Sequence, residues 1–201
     1  MITPSEYKSI KDAIDQGFLV IYPTDTLYAL GASVFSLKAV EQAFALKKRP
    51  TSLPLPIAVS SMEMLEEIAS ITPLANCLIE SFLPGPLTIV LKNKTIPSVV
   101  TANKTTIAVR IPNDPIALKL LEKIGPLTVT SANIHNQQTP TTIEEIRNML
   151  KSPSIVAYID DGTRNGSPST IVDVTEDKPL ILRKGAILSE QIEAVVSENY
   201  G

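Results

Sequence analysis

Three consecutive cations, Lys47, Lys48 and Arg49, stand directly before Pro50. Apolar residues recur at helical spacing over the preceding residues 37–44, and the residue before a proline is pushed out of the helical region. We therefore predict a helix that ends at this cluster. Cations at such a junction can donate charge-assisted hydrogen bonds to a bound anion, although a solvated run of charges would give the same sequence.

Two threonines and one arginine indicate polar groups beside a buried sheet. Thr24 and Thr26 follow the apolar run of residues 18–21, and residues two apart on an extended chain point to the same side. Arg110 stands alone in the apolar stretch of residues 107–111. Because an unpaired buried guanidinium is costly, Arg110 must have an anionic partner. The residues alone leave open whether that partner is a structural carboxylate or a ligand.

The sequence lacks both of the common glycine-rich phosphate loops, GxxxxGK[ST] and GxGxxG. A nucleotide would therefore have to be held by side chains and helix ends, for which Lys47, Arg49 and Arg183 are the candidates. His135 and Cys77 are the only residues of their types, so a serine triad or a zinc centre has few groups to draw on. We predict no metal site built by the protein.

Composition bounds the class of protein. At 201 residues, with 44% hydrophobic and 19% charged residues, the chain is typical of a soluble globular protein, and we predict one domain over residues 1–201. No apolar run reaches the ~18 residues of a membrane span, and no secretory signal begins the chain, so we expect a cytoplasmic protein. The net charge of −3 means that any anion site must be local.

Short apolar runs alternate with helical patterns along the chain. This order predicts an α/β fold, in which a twisted, open mixed sheet of about seven strands is flanked by helices and forms a concave cleft. The strands are expected at residues 18–21, 55–59, 87–91, 107–111, 127–131, 155–159, 169–174 and 180–183. Helix N-caps are expected at Thr3 with Glu6, Ser36, Ser60 with Glu63, Thr72, Asp114, and Thr141 with Glu144.

Three blocks of the sequence resemble one known family. Residues 24–31, then Lys47, Arg49 and Pro50, and then residues 54–55 closely resemble the opening signature of the YrdC-like threonylcarbamoyl-AMP synthases in order and spacing. Residues 130–133, which contain Ser-Ala-Asn, and residues 169–173 followed by Arg183 match the same family. The resemblance covers nearly the whole chain.

This resemblance implies a fold, a reaction and a set of site residues. The implied enzyme is a nucleotidyltransferase that condenses L-threonine, bicarbonate or CO2, and ATP, with Mg²⁺ carried by the phosphates. Its product serves a downstream tRNA-modifying threonylcarbamoyl transferase. By position, the implied ATP-binding residues are Lys47, Arg49, Thr106, Ser131, Thr139 and Arg183. The implied L-threonine-binding residues are Thr26, Arg110 and Ser169, and the implied catalytic residues are Lys47, Arg49 and Arg110.

The sequence also departs from the family pattern, and two other functions stay open. The departures are Asp25 for a glutamate, Ala29 for a glycine, Leu53 for an asparagine, Ala58 for a histidine and Pro168 for a glutamate. One alternative is a module of the same fold that binds RNA on its basic cleft without catalysis. The other is a carbamoyl-transfer enzyme like the related domain of hydrogenase maturation proteins, although those carry zinc-finger cysteines that this chain lacks.

Overall fold

Helices and short strands alternate over residues 3–199, the part of the chain that this computed structural model describes. The helices are α1 (Pro4–Asp15), α2 (Leu37–Lys47), α3 (Met62–Ile68), α4 (Pro73–Phe82), α5 (Ser98–Thr101), α6 (Pro115–Ile124), α7 (Ile143–Met149) and α8 (Ser189–Asn199). The strands are β1 (Leu19–Pro23), β2 (Tyr28–Gly31), β3 (Ile57–Ala58), β4 (Ala69–Ser70), β5 (Leu87–Asn93), β6 (Thr106–Arg110), β7 (Leu127–Thr128), β8 (Thr130–Ser131), β9 (Ile155–Tyr158), β10 (Thr170–Asp173) and β11 (Leu180–Arg183).

The larger sheet contains seven strands. Its order is β11-β10-β5-β6-β3-β7, and β4 pairs with β5 beside this path. β10 runs parallel to β5 and β3 runs parallel to β6, whereas the other pairs are antiparallel. The predicted mixed sheet of about seven strands flanked by helices is therefore confirmed.

A second sheet of four strands was not predicted. Its order is β8-β2-β1-β9, with β1 antiparallel to β2 and parallel to β9. The sequence analysis expected one continuous strand over residues 127–131, but the chain divides there between the two sheets. Leu127 and Thr128 pair with β3, whereas Thr130 and Ser131 pair with β2. The change of sheet at Val129 brings the second sheet against the first.

Apolar side chains on both sheets pack under the helices. The largest cluster joins the inner residues of β5 and β6, such as Ile89 and Val109, to helices α3, α4 and α8. A second cluster holds α1 and α6 on β1, and a third packs α2 and α7 against the four-stranded sheet. With most aliphatic side chains of these strands buried, the two sheets provide a rigid frame for the polar residues between them.

Most predicted helix starts are confirmed, and two are wrong by one residue. Thr3 and Glu6 form a capping box, and Ser36, Thr72 and Asp114 cap their helices. The N-cap of α3 is Ser61, which accepts from the backbone of Met64, rather than Ser60. The N-cap of α7 is Thr142, in a capping box with Glu145, rather than Thr141 with Glu144. At α7 both threonines have a glutamate three residues later, so the sequence could not separate them, whereas at α3 the spacing of Ser60 and Glu63 favoured the wrong one of two adjacent serines.

Within residues 3–199, no helix is long and apolar enough to cross a membrane. One domain over residues 1–201 stays a prediction.

Candidate functional site

A cleft with a cavity volume of about 490 Å³ lies between the two sheets. Its size falls in the range of small-molecule sites, ~300–1,000 Å³. All of the predicted site residues except Lys47 line it. These lining residues are Thr26, Arg49, Thr106, Arg110, Ser131, Thr139, Ser169 and Arg183.

Side chains point alternately to the two faces of a strand, which explains why residues two apart in the sequence line the cleft together. Thr106, Ala108 and Arg110 are spaced by two along β6, and all three line the cavity. On β10, Ile171 and Asp173 do the same. Successive side chains on a strand point to opposite faces, so each strand gives the cleft every second residue. The remaining residues of β6, Ile107 and Val109, are buried in the core.

Arg110 is the most enclosed cation in the cleft wall, with 4% of its surface exposed. Its Nε donates to the carbonyl oxygen of Gly85 at 2.9 Å, Nη1 donates to the hydroxyl of Thr26 at 2.9 Å, and Nη2 donates to the Asp25 carboxylate at 2.6 Å. Burial lowers the pKa of Arg110, and the charge of Asp25 opposes that effect. The free protein thus already supplies a carboxylate partner, which was the structural alternative. One hydrogen on each terminal nitrogen remains for a ligand.

Asp25 and Thr26 belong to a polar turn that links β1 to β2. The Thr24 hydroxyl donates to the carbonyl oxygen of Leu27 at 2.6 Å, and the hydroxyls of Thr24 and Thr26 lie 3.1 Å apart. The expectation that both hydroxyls face one space is confirmed. The backbone of Gly166 donates to the carbonyl oxygen of Thr26 at 3.0 Å. A Cβ on Gly166 would lie 2.8 Å from that oxygen, so glycine permits this close approach.

Ser169 directly precedes β10, and Arg183 ends the neighbouring strand β11. The Ser169 hydroxyl lies 2.8 Å from the hydroxyl of Thr88, and Arg183 donates through Nη2 to the Ser169 carbonyl oxygen at 2.7 Å and to its hydroxyl at 3.1 Å. Partial burial and the charge of Arg110 lower the pKa of Arg183. Arg110, Arg183 and Ser169 therefore form one cationic corner of the cleft.

Arg49 also lines the cleft, just after the end of α2, where an extended segment begins. Its Nη2 donates to the carbonyl oxygen of Pro54 at 2.9 Å, and its Nε approaches that of Leu53 at 3.3 Å. These bonds hold the guanidinium against the segment that follows the helix. Burial lowers the pKa of Arg49. The helix ends at Lys47, and Lys48 caps it in the left-handed conformation, with φ 50°.

Lys47, which the family resemblance placed among the ATP-binding residues, does not line the cleft. It is 1% exposed and lies behind the wall, where its ammonium donates to the carbonyl oxygens of Ser131 and Asn133 and to the Oδ1 of Asn133. Burial lowers its pKa to about 7, and the charge of Arg49 adds to this effect. The backbone carbonyl of Lys47 also accepts from His135 at 2.7 Å. The 131–135 segment is thus folded around the end of α2.

Ser131 and Asn133 connect Lys47 to the cavity. The Ser131 hydroxyl, which lines the cleft, donates to Asn133 Oδ1 at 2.7 Å, and Asn133 Nδ2 donates to the carbonyl oxygen of Gln137 at 2.6 Å. Lys47 and Ser131 therefore share one acceptor. The lysine fixes the loop that carries Ser131, so its effect on a ligand would pass through that loop.

Four polar residues that line the cleft were not predicted from the sequence, namely Thr88, Lys104, Thr130 and Asp173. Alternation along β6 and β10 could have indicated Lys104 and Asp173, because each lies two residues from another lining residue. Thr88 and Thr130 carried no such signal, since their placement depends on how β5 and β8 pair.

Within residues 3–199, no three or more His, Cys, Asp or Glu side chains are grouped to hold a metal ion. Asp173 is the carboxylate among the residues that line the cleft. Its Oδ1 already accepts from the backbone and hydroxyl of Thr175, at 2.9 and 2.6 Å.

Most of the chain is similar in sequence to known proteins. Residues 12–185 match the Sua5/YciO/YrdC family model, described as telomere recombination. A threonylcarbamoyl-AMP synthase from Pyrococcus abyssi is 42% identical over 189 residues, and the match covers 92% of this chain and 55% of that protein. A putative threonylcarbamoyl-AMP synthase from Methanocaldococcus jannaschii is 42% identical over 181 residues, covering 89% of this chain and 84% of that protein.

A solved structure is similar throughout the fold. The crystal structure of P. abyssi Sua5 complexed with L-threonine superposes with a TM-score of 0.90 at 38% identity, covering 99% of this chain and 59% of that protein. This chain thus spans little more than half the length of the P. abyssi protein. The match of the family model to most of the chain, and relatives of this identity, show that the chain belongs to the Sua5/YciO/YrdC family.

Proposed function

We propose that this protein synthesises L-threonylcarbamoyladenylate from L-threonine, bicarbonate or CO2, and ATP, and that it is a nucleotidyltransferase. The observation that carries the proposal is that Thr26, Arg110 and Ser169 line the same cleft as Arg49 and Ser131. The names of the relatives and the threonine complex of the P. abyssi protein support the same reaction.

The threonine end of the site would be the corner around Arg110. The free N–H groups of its guanidinium suit a carboxylate, and the hydroxyls of Thr26 and Ser169 lie beside it as hydrogen-bonding partners. Asp25 holds the guanidinium in place before the substrate arrives. The amino acid would therefore enter a site that is already ordered, which limits the entropy lost on binding.

The nucleotide end would be the region of Arg49, Thr106, Ser131 and Thr139. Arg49 supplies positive charge, and the hydroxyls supply neutral hydrogen bonds. ATP would enter with Mg²⁺ already on its phosphates, as a substrate complex, because residues 3–199 offer no group of three or more His, Cys, Asp or Glu side chains that could hold the ion. Lys47 would act behind this region, by holding the loop that presents Ser131.

The reaction requires the protein to position the substrates and to compensate their negative charges. The threonine amine adds to CO2 and loses a proton to solvent, which gives a carbamate. A carbamate oxygen then bonds to the α-phosphorus of ATP, while the bond from that phosphorus to the bridging oxygen breaks and pyrophosphate leaves with the electron pair. In this step the threonine carboxylate, the carbamate and the triphosphate, all of them anionic, must approach one another. The positive charges of Arg49, Arg110 and Arg183 would lower the repulsion between these substrate groups. No protein nucleophile is required.

The product would be consumed by a reaction that transfers the threonylcarbamoyl group to tRNA. In this proposal the protein passes its product to a tRNA-modifying transferase and works as one domain over residues 1–201 in the cytoplasm. Direct RNA contact is not needed for the chemistry of the cleft.

The decisive experiment incubates purified protein with L-threonine, bicarbonate and ATP, and follows AMP-linked threonine carbamate and pyrophosphate by mass spectrometry. We expect both products in equal amounts, and neither when threonine or bicarbonate is omitted. Arg49→Ala should abolish most of the signal, whereas Lys48→Asn, at an exposed neighbouring position, should retain it. RNA binding with a steep salt dependence and no product would instead support the RNA-binding module.

A further inference from the structure

One positively charged residue that lines the cleft, Lys104, is not among the residues that match the family pattern. Lys104 lies between α5 and β6, two residues before Thr106, and it lines the cleft. Thr106, Ala108 and Arg110 line the same cleft further along β6. This side of the cavity therefore runs from Lys104 at one end to Arg110 at the other, a distance of ~20 Å along an extended chain.

The other cations near the cleft are already engaged. Arg110 is held by Asp25, Arg49 donates to backbone carbonyls, and Arg183 donates to Ser169. Lys47 donates to the loop behind the wall. Over residues 3–199, by contrast, the ammonium of Lys104 has no hydrogen bond, ion pair or ring contact, and the residue is exposed. Its charge is available to a ligand without breaking any existing contact.

We propose that Lys104 binds the β- and γ-phosphates of ATP, the part that leaves as pyrophosphate. The assignment rests on the proposed function, because that function fixes which way the nucleotide lies. The carbamate must meet the α-phosphorus close to the threonine corner at Arg110. In-line displacement then directs the leaving phosphates away from that corner, along β6 towards Thr106 and Lys104.

The charge of Lys104 matters most as the reaction proceeds. When the bond between the α-phosphorus and the bridging oxygen breaks, negative charge grows on the departing pyrophosphate. The ammonium of Lys104 offsets that charge. AMP lacks the two outer phosphates, so Lys104 contributes to the binding of ATP and not to that of AMP.

The test compares ATP with AMP as ligands of the same variants, by titration calorimetry in magnesium-containing buffer without threonine. We expect Lys104→Ala to weaken ATP binding about tenfold, the scale of one charge-assisted contact, while AMP affinity changes less than about twofold. Lys104→Arg should restore most of the ATP affinity because it keeps the charge. Lys119→Ala removes an exposed lysine of α6 outside the cleft lining and should change neither affinity.

Two results would overturn the assignment. One is unchanged ATP affinity in Lys104→Ala, and the other is an equal loss of ATP and AMP affinity, which would indicate a general change of the cleft. These titrations require no turnover, so they are independent of the proposed reaction. If wild-type protein makes no adenylate while Lys104→Ala selectively loses ATP affinity, the reaction is rejected and the phosphate contact stands.

Discussion

Arg110 and Lys47 are both buried cations at the cleft, and the structure satisfies them in different ways. Arg110 pairs with the carboxylate of Asp25, so its positive charge is balanced by a negative one. Lys47 is surrounded by neutral oxygens of Ser131 and Asn133, so only dipoles compensate its charge. Arginine keeps its proton in either setting, whereas burial brings the pKa of Lys47 down to about 7.

This difference separates two ways of preparing a site. The threonine corner is ordered by an ion pair that is complete before any ligand binds. The nucleotide side depends on a lysine that holds a loop, and the loop in turn presents the Ser131 hydroxyl. We therefore expect Arg110 to act by direct contact with a ligand and Lys47 to act mainly as a positioning residue.

The largest effect should come from removing the buried ammonium. Lys47→Ala removes three hydrogen bonds and leaves the carbonyl oxygen of Asn133 without a donor, whereas the Ser131 carbonyl oxygen still accepts from the backbone of Asn133, and Asn133 Oδ1 from the Ser131 hydroxyl. An unsatisfied buried group costs ~1–3 kcal/mol and each of the other two hydrogen bonds contributes ~0.5–1.5 kcal/mol, so we expect the free energy of unfolding to fall by ~3–5 kcal/mol. Urea unfolding of the variant beside wild type measures this. Lys48→Asn, on the exposed neighbour, should stay within ~0.5 kcal/mol. Wild-type stability in Lys47→Ala would show that the network around Lys47 contributes nothing.

Arg49→Ala should show the opposite pattern, with a loss of activity and little change of fold. Arg49 is half-buried and donates to carbonyls near the surface, which solvent can also satisfy. If its guanidinium compensates phosphate charge, its removal costs ~2–4 kcal/mol of transition-state stabilisation. The ratio kcat/KM for adenylate formation, measured with urea unfolding in parallel, checks both halves. Full activity in Arg49→Ala would remove this residue from the nucleotide site.

Much of the fold and the cleft could be predicted from local patterns. Alternating elements predicted the seven-stranded sheet, and the motif residues, apart from Lys47, converge on one cavity. The second sheet was missed because residues 127–131 read as one apolar strand, and only tertiary pairing reveals the change of sheet at Val129. Lys47 was misplaced because sequence spacing cannot show which cation of the 47–49 run binds the 131–133 loop and which lines the cleft.

The contrast between the two cations also predicts how stability depends on pH. For Lys47 the pKa is about 7 in the folded protein and 10.5 as its ordinary value. Between these values the unfolded chain holds more protons, so the free energy of unfolding rises with pH by ~1.4 kcal/mol per unit from this group. Below pH 7 both states are protonated and the contribution is flat. Arg110 adds no slope, since it stays protonated in both states.

The variant Lys47→Met keeps the length of the side chain but not its charge. It therefore isolates the contribution of Lys47 to the pH dependence of stability. We expect wild type to gain stability relative to Lys47→Met as the pH increases from 7 to 9, measured by urea unfolding at each pH. If the difference in the free energy of unfolding between the two proteins does not change with pH, the three oxygen acceptors keep Lys47 protonated over this range. Lys47 and Arg110 would then both remain charged.

The smallest effect concerns the geometry of Arg110 rather than its charge. Arg110→Lys keeps one positive charge next to Asp25, so the partly buried carboxylate keeps a cationic partner and the fold should persist. A lysine cannot contact Gly85, Thr26 and Asp25 and also offer a planar pair of donors to a ligand carboxylate. We expect the threonine requirement to rise about tenfold, equivalent to ~1.4 kcal/mol, with ATP affinity nearly unchanged.

Titration of threonine and of ATP against both proteins separates three possibilities. A selective loss of threonine affinity supports direct contact, whereas a lower melting temperature with normal threonine affinity would make Arg110 a structural partner of Asp25. An RNA-binding module would tolerate the change, because charge is conserved and threonine has no role.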